Sequence, residues 1–253
     1  MKNPEVTSLY KYRSFSEKAI SSLRDNTGWF AKPSSFNDPF DCAFSLDQNR
    51  FEETNNLLHE QFASKYGFRL LSTAGDQEFE RAHYRRLVRQ IRDLFQNGIG
   101  LYCLSEKPDD ILMWSHYADS HRGFCIKYAR LASSMLGEIS RPVKYTDDYP
   151  SFSFEDLPKI VENEGELKTE DLYMTKGKKW EYEREWRLIH HPGNVSVAFD
   201  FPITGIIFGA RMSEGHRNRI RQVLAGSDDV RFYQSKTSET SFRLSIEDSA
   251  FAT

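Results

Sequence analysis

Short runs in which apolar and polar residues alternate are the dominant pattern of this chain. A period of two residues sends successive side chains to opposite faces of a strand, so each run predicts a β-strand with one buried face. The predicted strands cover residues 8–13, 28–31, 99–105, 123–129, 141–145, 195–201, 203–210, 230–235 and 240–246.

Helical periodicity is concentrated in two groups of segments. Ser16 is a typical N-cap for a helix that ends near Asp25, and Ser213 is one for a helix that ends at Gly226. Further helices are predicted at residues 50–66, 77–96 and 109–120, and residues 154–178 are charged and helix-prone.

The arrangement of these elements predicts the fold class. Strands dominate the core and helices cluster around it, so we expect an α+β fold with a mixed or antiparallel sheet. We expect a single domain over residues 1–253, with a helical insertion at about residues 48–97.

Composition restricts the class of protein without selecting a function. The 253 residues are 39% hydrophobic and 14% aromatic, which is typical of a globular, aromatic-rich core. The net charge of −3 argues against a generic nucleic-acid coat protein, because such proteins are normally basic. The three cysteines form no CxxC pair, the first residues lack the apolar run expected of a signal peptide, and no stretch approaches 18 apolar residues. These features predict a cytoplasmic protein that does not enter a membrane.

The segment WEYEREWRL, residues 180–188, is the most unusual strand signal. Its glutamates stand at alternate positions, so an extended strand would place three carboxylates on one face and bulky residues on the other. Like charges in such a column repel, and glutamate is disfavoured in strands. The face is therefore either exposed to solvent or used. The carboxylates are Glu181, Glu183 and Glu185, and the opposite face would hold Tyr182, Arg184 and Trp186.

Cations flank these carboxylates. Arg187 would share the face of Glu183 and Glu185, so a structural Glu185–Arg187 ion pair is one interpretation. The other is a functional site in which Glu183 and Glu185 are catalytic, while Lys179 and Arg187 bind substrate.

The opening strand, LYKYR, carries Lys11 and Arg13 on one face and Tyr10 and Tyr12 on the other. Adjacent cations can hold phosphates, and arginine does so with two parallel hydrogen bonds. Lys11, Tyr12 and Arg13 are therefore candidate substrate-binding residues. The alternative is an ordinary strand with a solvent-facing pair of cations.

The loop FNDPFD, residues 36–41, is rich in turn-forming residues. Asn37 and Asp38 are candidate substrate-binding residues, and the two aspartates Asp38 and Asp41 could position a ribose or bind a metal ion. A loop that bonds its own backbone explains the same residues without a ligand.

The segment MWSHYADSHRGF, residues 113–124, combines aromatic and polar side chains. In a helix Trp114 and Tyr117 share a face, and either ring could stack on a base or on nicotinamide. His116 points elsewhere and is a candidate catalytic residue. His116 and His121 lack the spacing of a helical metal pair, and no metal site is predicted here.

Five motifs follow one another along the chain: LYKYRS, FNDPFD, LYCLSEKPDDILMWSHYADSHRGFCIKY, KKWEYEREWRL and ITGIIFGARMS. Their order resembles that of an uncharacterised bacterial family, the domain of unknown function numbered 2971, from about residue 8 to residue 235. The resemblance implies little chemistry. It suggests a role in phage defence, with a protein partner from a defence system, because members often lie near mobile or phage-defence genes.

The layout of three motifs also resembles ADP-ribosyltransferases. These enzymes place an aromatic-His-aromatic-Thr strand first, an aromatic motif next and a catalytic glutamate late, where this chain has LYKYR, WSHY and EREWR. Lys11 stands in the histidine place and Arg13 in the threonine place. The resemblance implies an ADP-ribosyltransferase-like fold with NAD as substrate. Lys11 and Arg13 would hold the pyrophosphate, Trp114 or Tyr117 would stack on nicotinamide, and Glu185 would stabilise an oxocarbenium-like transition state.

The leading hypothesis is a cytoplasmic enzyme that acts on a nucleotide or a nucleic-acid end, most concretely by ADP-ribosyl transfer or NAD cleavage. One alternative is a metal-dependent nuclease or phosphoesterase, in which Lys179 contacts the scissile phosphate. Its magnesium ligands would be Asp38, Asp41, Glu183 and Glu185. The other is a non-catalytic module that senses a nucleotide or a phage protein. No P-loop, GxGxxG or HExxH motif occurs to favour ordinary nucleotide or zinc sites.

Overall fold

The computed structural model describes residues 3–46, 77–152 and 169–249. Contacts divide the chain into two compact units, of which the first comprises residues 1–31, 100–143 and 179–253 and the second residues 32–99 and 144–178. The helix predicted at residues 50–66 lies outside the described residues, as does the first part of the charged segment 154–178.

Fourteen strands are present in the described part of the chain. They are β1 Ser8–Arg13, β2 Thr27–Phe30, β3 Ser45–Leu46, β4 Gly100–Ser105, β5 Phe124–Ala129, β6 Arg141–Pro142, β7 Lys144–Thr146, β8 Ser151–Phe152, β9 Thr175–Gly177, β10 Glu185–His190, β11 Val195–Ala198, β12 Ile203–Phe208, β13 Arg231–Thr237 and β14 Leu244–Asp248.

The helices are α1 Glu17–Arg24, α2 Gln77–Gly98, α3 Ile111–Tyr117, α4 Met135–Ile139, α5 Thr169–Tyr173 and α6 Glu214–Val223. Among the described residues, Pro33–Ser35 and Lys178–Glu183 form 3-10 helices. In the described residues no helix has the length and apolar character needed to span a membrane.

An eight-stranded sheet is the centre of the first unit, in the order β14-β13-β12-β5-β1-β4-β10-β6. All neighbours are antiparallel except β12 and β13, which run parallel and are joined through α6. A second, two-stranded sheet pairs β2 with β11. The predicted α+β class with a mixed sheet is confirmed.

Both faces of the large sheet are covered by apolar side chains. The main core contains Leu9, Tyr128 and Ile206 from the strands and Ile20 and Ile220 from α1 and α6. On the opposite face a smaller cluster is formed by α3 with the strands, and its buried members are Tyr12, Met113, Trp114, Ala118, Cys125 and Ile207.

Side-chain caps fix the helices where the sequence predicts them. Ser16 Oγ accepts a hydrogen bond from the backbone N–H of Ala19, and the Asp110 carboxylate accepts from the first turn of α3. Ser213 caps α6, and Gly226 takes a left-handed φ of 94° just after that helix.

The described residues of the second unit include α2, α5 and two small parallel strand pairs, β3 with β8 and β7 with β9. The Phe44 ring packs edge-to-face against Phe95 and Phe152. Asp41 and Lys176 form a buried ion pair at 3.5 Å. This unit therefore has its own small aromatic core and its own neutralised charges.

The prediction of a continuous strand through residues 180–188 is wrong. Residues Lys178–Glu183 form a 3-10 helix, Arg184 has a left-handed φ of 46°, and the strand begins only at Glu185. The physical reason is non-local. Glu185 pairs with Ser105, the last residue of β4, so earlier residues have no strand partner there. Glu181 and Glu183 therefore do not form a column with Glu185.

The packing of the loop that follows β12 can be tested at its glycine. A Cβ atom on Gly209 would overlap the carbonyl oxygens of His121 and Gly123, whereas one on Gly215 in α6 would meet open space. We expect Gly209→Ala to destabilise the fold by about 1–3 kcal/mol. Gly215→Ala should be neutral or stabilising by up to about 1 kcal/mol. Urea unfolding measures both changes, and similar midpoints for the two variants would contradict this packing.

Candidate functional site

Strand register decides which predicted site residues share a face of the large sheet. Tyr10 pairs with Ser105, and Ser105 pairs with Glu185. Directly paired residues lie on the same face, so Glu185 lies on the Tyr10 face. Alternation then puts Lys11 and Arg13 on the opposite face. The register does not favour joint contact of Lys11, Arg13 and Glu185 with one part of a ligand.

The Lys11 side chain makes its contacts on the face of the sheet opposite Glu185. Its Nζ donates a hydrogen bond of 2.7 Å to the Cys103 carbonyl and lies 4.6 Å from the centroid of the Tyr102 ring. Burial lowers the pKa of Lys11. Arg13 is half-buried at the end of the same strand. Burial raises the pKa of the nearby Tyr128 phenol to about 12.

A buried ion pair occupies the other face. Arg187 Nε lies 2.7 Å from Glu185 Oε1, and Nη2 lies 3.0 Å from Oε2. Arg187 is fully buried and Glu185 is 5% exposed. Because an unpaired buried charge is very costly, this two-point contact is what permits Arg187 to lie there. The structural ion pair that the sequence offers as one interpretation is therefore present.

The aromatic and acidic motifs meet at Glu183. The Tyr117 hydroxyl donates a hydrogen bond of 2.7 Å to Glu183 Oε1, and the Glu183 side chain is buried. Ser105 Oγ donates to the Glu183 backbone carbonyl at 2.6 Å and accepts from the N–H of Lys107. Helix α3, the end of β4 and the acidic segment are thereby joined by side-chain hydrogen bonds.

The remaining residues of the aromatic motif have different environments. Trp114 is fully buried, donates through Nε1 to the Pro108 carbonyl and meets the Tyr12 ring edge-to-face at 5.2 Å. Tyr12 is itself buried, and its hydroxyl donates to the Lys107 carbonyl. Tyr117 is half-buried, so it is the more accessible of the two rings considered for stacking. His116 is exposed, and its ring lies roughly perpendicular to the Tyr117 ring, with the ring centroids 6.3 Å apart.

The last three candidates are Lys179, Asn37 and Asp38. Lys179 is exposed on the 3-10 helix. Asn37 and Asp38 belong to the second unit, where Asp38 Oδ1 accepts a hydrogen bond from the N–H of Phe40 and supports its own loop. Within the described ranges, no group of three or more His, Cys, Asp or Glu residues could hold a metal ion.

Sequence reasoning missed Glu106. Its Oε1 accepts a hydrogen bond of 2.7 Å from Trp186 Nε1, and its Oε2 lies 3.2 Å from Arg184 Nη2. The backbone N–H of Glu106 also donates to the Arg184 carbonyl. Glu106 therefore holds the left-handed residue that starts β10, and no local pattern marks it.

His121 was also set aside because it forms no helical metal pair. Its Nε2 lies 3.2 Å from Ser115 Oγ, whose hydroxyl donates to the Ile111 carbonyl. Ser115 must then accept from Nε2–H, which leaves Nδ1 as an acceptor. Burial and the charge of Arg211 lower the pKa of His121. The sequence signal that could have identified His121 is the polar run ADSH, which follows a helix.

Part of the chain, which includes Tyr117 and Glu183, matches a family model. The family model described as "Protein of unknown function (DUF2971)" matches residues 113–188. Over residues 113–188, called the DUF2971 segment below, the chain is similar to this family. No curated protein and no solved structure matches the chain. The DUF2971 segment begins in α3 and ends in β10, so it contains both Tyr117 and Glu183.

The ion pair of the DUF2971 segment can be tested with a matched arginine. Arg187→Met leaves the Glu185 carboxylate buried without its bidentate partner, and we expect a loss of about 3–5 kcal/mol in the free energy of unfolding. Arg184→Met removes a half-exposed pair with Glu106 and should cost about 1 kcal/mol or less. Chemical denaturation measures both losses. Equal losses would contradict the role assigned to the buried pair, and a Glu185→Leu/Arg187→Met variant should recover stability.

The environment of His121 predicts a pH dependence. Its folded pKa is lowered, so the unfolded chain binds the proton first as the pH falls. The stability due to neutral His121 is present above about pH 6.5 and is lost as the pH falls toward the folded pKa. We expect the wild type to lose more stability than His121→Asn between about pH 7.5 and about pH 5. Asparagine tolerates the left-handed backbone there. Exposed His116→Asn should follow the wild type, and parallel pH profiles for all three proteins would refute the assignment.

Proposed function

We propose that the first unit is the catalytic domain of a cytoplasmic enzyme that acts on a nucleotide or a nucleic-acid end, most concretely by ADP-ribosyl transfer or NAD cleavage. The observation that carries the proposal is the hydrogen bond between Tyr117 and Glu183. It brings an accessible aromatic ring and a buried carboxylate together at the two ends of the DUF2971 segment.

The chemistry requires both kinds of group. When the bond between the ribose C1′ and the nicotinamide nitrogen breaks, positive charge develops on the sugar and its ring oxygen, and neutral nicotinamide leaves. Water or an acceptor side chain then adds to C1′ and loses a proton. A carboxylate in a water-poor site stabilises that charge far better than one in bulk water. An aromatic ring can stack on the flat leaving group.

The two carboxylates have different surroundings, which supports different roles. Both oxygens of Glu185 are bonded to the Arg187 guanidinium, so its position is fixed and its charge is shared. Glu183 lies against the Tyr117 hydroxyl, beside the ring proposed to stack. We therefore assign charge stabilisation to Glu183, and we assign positioning of the acidic segment to Glu185 with Arg187.

The other substrate contacts proposed from the sequence still await a test. They are the contacts of Lys11, Tyr12, Arg13, Trp114 and Lys179, together with a catalytic role for His116. A place in phage defence, with a defence-system protein as partner, is also part of the proposal and rests on the family resemblance alone.

A non-catalytic sensing module is the second candidate. The observation that favours it is the burial of Glu183, Glu185 and Arg187, which is also typical of a structural ion-pair network. Such a module would bind NAD or a related nucleotide and gain thermal stability by mass action, with no product formed.

Nicotinamide release from NAD by the purified protein tests the proposal. We expect Glu183→Gln to lower kcat by about two orders of magnitude or more while KM changes little, because the lost charge acts mainly in the transition state. Exposed Glu181→Gln is the matched control and should keep the wild-type rate. Circular dichroism should show that both variants are folded.

Three outcomes separate the readings. Loss of nicotinamide release in Glu183→Gln alone supports the enzyme. Stabilisation by NAD without nicotinamide release supports the sensing module. Neither turnover nor a nucleotide-dependent rise in melting temperature would refute both.

A further inference from the structure

Unpartnered buried polar atoms gather around one loop of the first unit, residues 209–212, which joins β12 to α6. Seven such atoms occur in the described residues, and four of them belong to residues that border this loop. Each unmade buried hydrogen bond is costly, and native proteins contain few of them. Their concentration in one place therefore points to a ligand. The four atoms are His121 Nδ1, Arg217 Nε, Gln234 Oε1 and Ser235 Oγ.

The position of the loop in the fold is that of a ligand site. Strands β12 and β13 are parallel and are joined by α6, so they form a β-α-β unit within an otherwise antiparallel sheet. In such units small molecules bind beyond the carboxyl ends of the strands, where the following helix begins. Residues 209–212 occupy that place.

A shallow cavity of about 340 Å³, widely open to solvent, lies beside the loop. Its volume is that of a small-molecule site, and its lining contains two cationic residues and no acidic one. The lining residues are Ala210, Arg217, Gln234, Ser235, Lys236 and Thr237. Three of the four unpartnered atoms belong to these six residues.

Other contacts hold the polar groups in place. The Gln234 amide nitrogen donates to the carbonyls of Phe208, Gly209 and Ser235, which fixes Oε1 as the acceptor. Arg217 Nη1 lies 3.3 Å from the Glu214 carboxylate, so the guanidinium is anchored at one end while Nε has no described partner. Ser235 is 1% exposed.

A strained turn, residues 119–121, contacts this loop and supports it. Asp119, Ser120 and His121 take successive left-handed φ values of 47°, 52° and 68°. Such residues are held only where the surroundings impose them, and they concentrate at functional sites. The His121 carbonyl accepts from the N–H of Arg211, and it lies against Gly209. The turn thereby fixes the backbone of the loop.

We propose that this cavity binds the phosphoryl group of a small phosphorylated molecule. Arg217 donates to the phosphoryl oxygens. Lys236, which is bonded to Glu247, contributes to the positive field. Gln234 Oε1 accepts from a hydroxyl of the same molecule. The proposal does not rest on NAD cleavage, because its residues differ from those of the Tyr117–Glu183 site.

Thermal denaturation and isothermal titration with three probes test the inference. Inorganic phosphate and ribose 5-phosphate should raise the melting temperature, and ribose should not. Ribose 5-phosphate should bind more tightly than phosphate if Gln234 accepts from a sugar hydroxyl. We expect Arg217→Ala to weaken ribose 5-phosphate binding by about tenfold or more, because a hydrogen bond to a charged group is lost.

Arg219→Ala is the matched control, since Arg219 lies on the same helix, is half-exposed and lies 3.9 Å from Glu17. It should keep wild-type affinity, and so should Glu183→Gln. Equal weakening in Arg217→Ala and Arg219→Ala would overturn the site, as would the absence of any response to millimolar phosphate probes. Loss of binding in Glu183→Gln would assign the response to the proposed NAD site instead.

Discussion

A fully buried guanidinium must be met by a carboxylate, and this requirement organises the acidic end of the DUF2971 segment. Arg187 and Glu185 stand two residues apart on β10, so both side chains leave the same face of the sheet. A cysteine on the neighbouring strand belongs to the same group of side chains. Burial and the adjacent Glu185 charge raise the pKa of the Cys103 thiol. A neutral thiol, a neutralised arginine and a paired glutamate can then share one desolvated surface.

The local sequence pattern predicts an element correctly where the residues of that element alone determine it. The bounds of β1, the Ser16 cap of α1 and the Ser213 cap of α6 follow from alternation and capping chemistry. The prediction of a strand through the acidic segment was wrong because a strand also depends on residues outside it. Its alternation suggests a strand, but a strand needs a neighbour, and the partner strand stops at Ser105.

The candidate site shows the same division. The sequence identified Glu183 and Tyr117 as polar and aromatic candidates, and a side-chain hydrogen bond joins them. It could not place Lys11 relative to Glu185, because that depends on the register of β4 between their two strands. It also could not single out His121, since a run of left-handed residues is imposed by packing against a distant loop.

The central position of β1 has a consequence for biosynthesis. Tyr10 pairs with Ser105 and Leu9 with Tyr128, so β1 acquires these partners only after many further residues have been translated. Contacts so distant in sequence slow folding, because a long stretch of chain must be closed before any pairing energy is gained. Until then Leu9 and Tyr12 are exposed on an unpaired edge, which is the kind of surface that chaperones bind and that promotes aggregation.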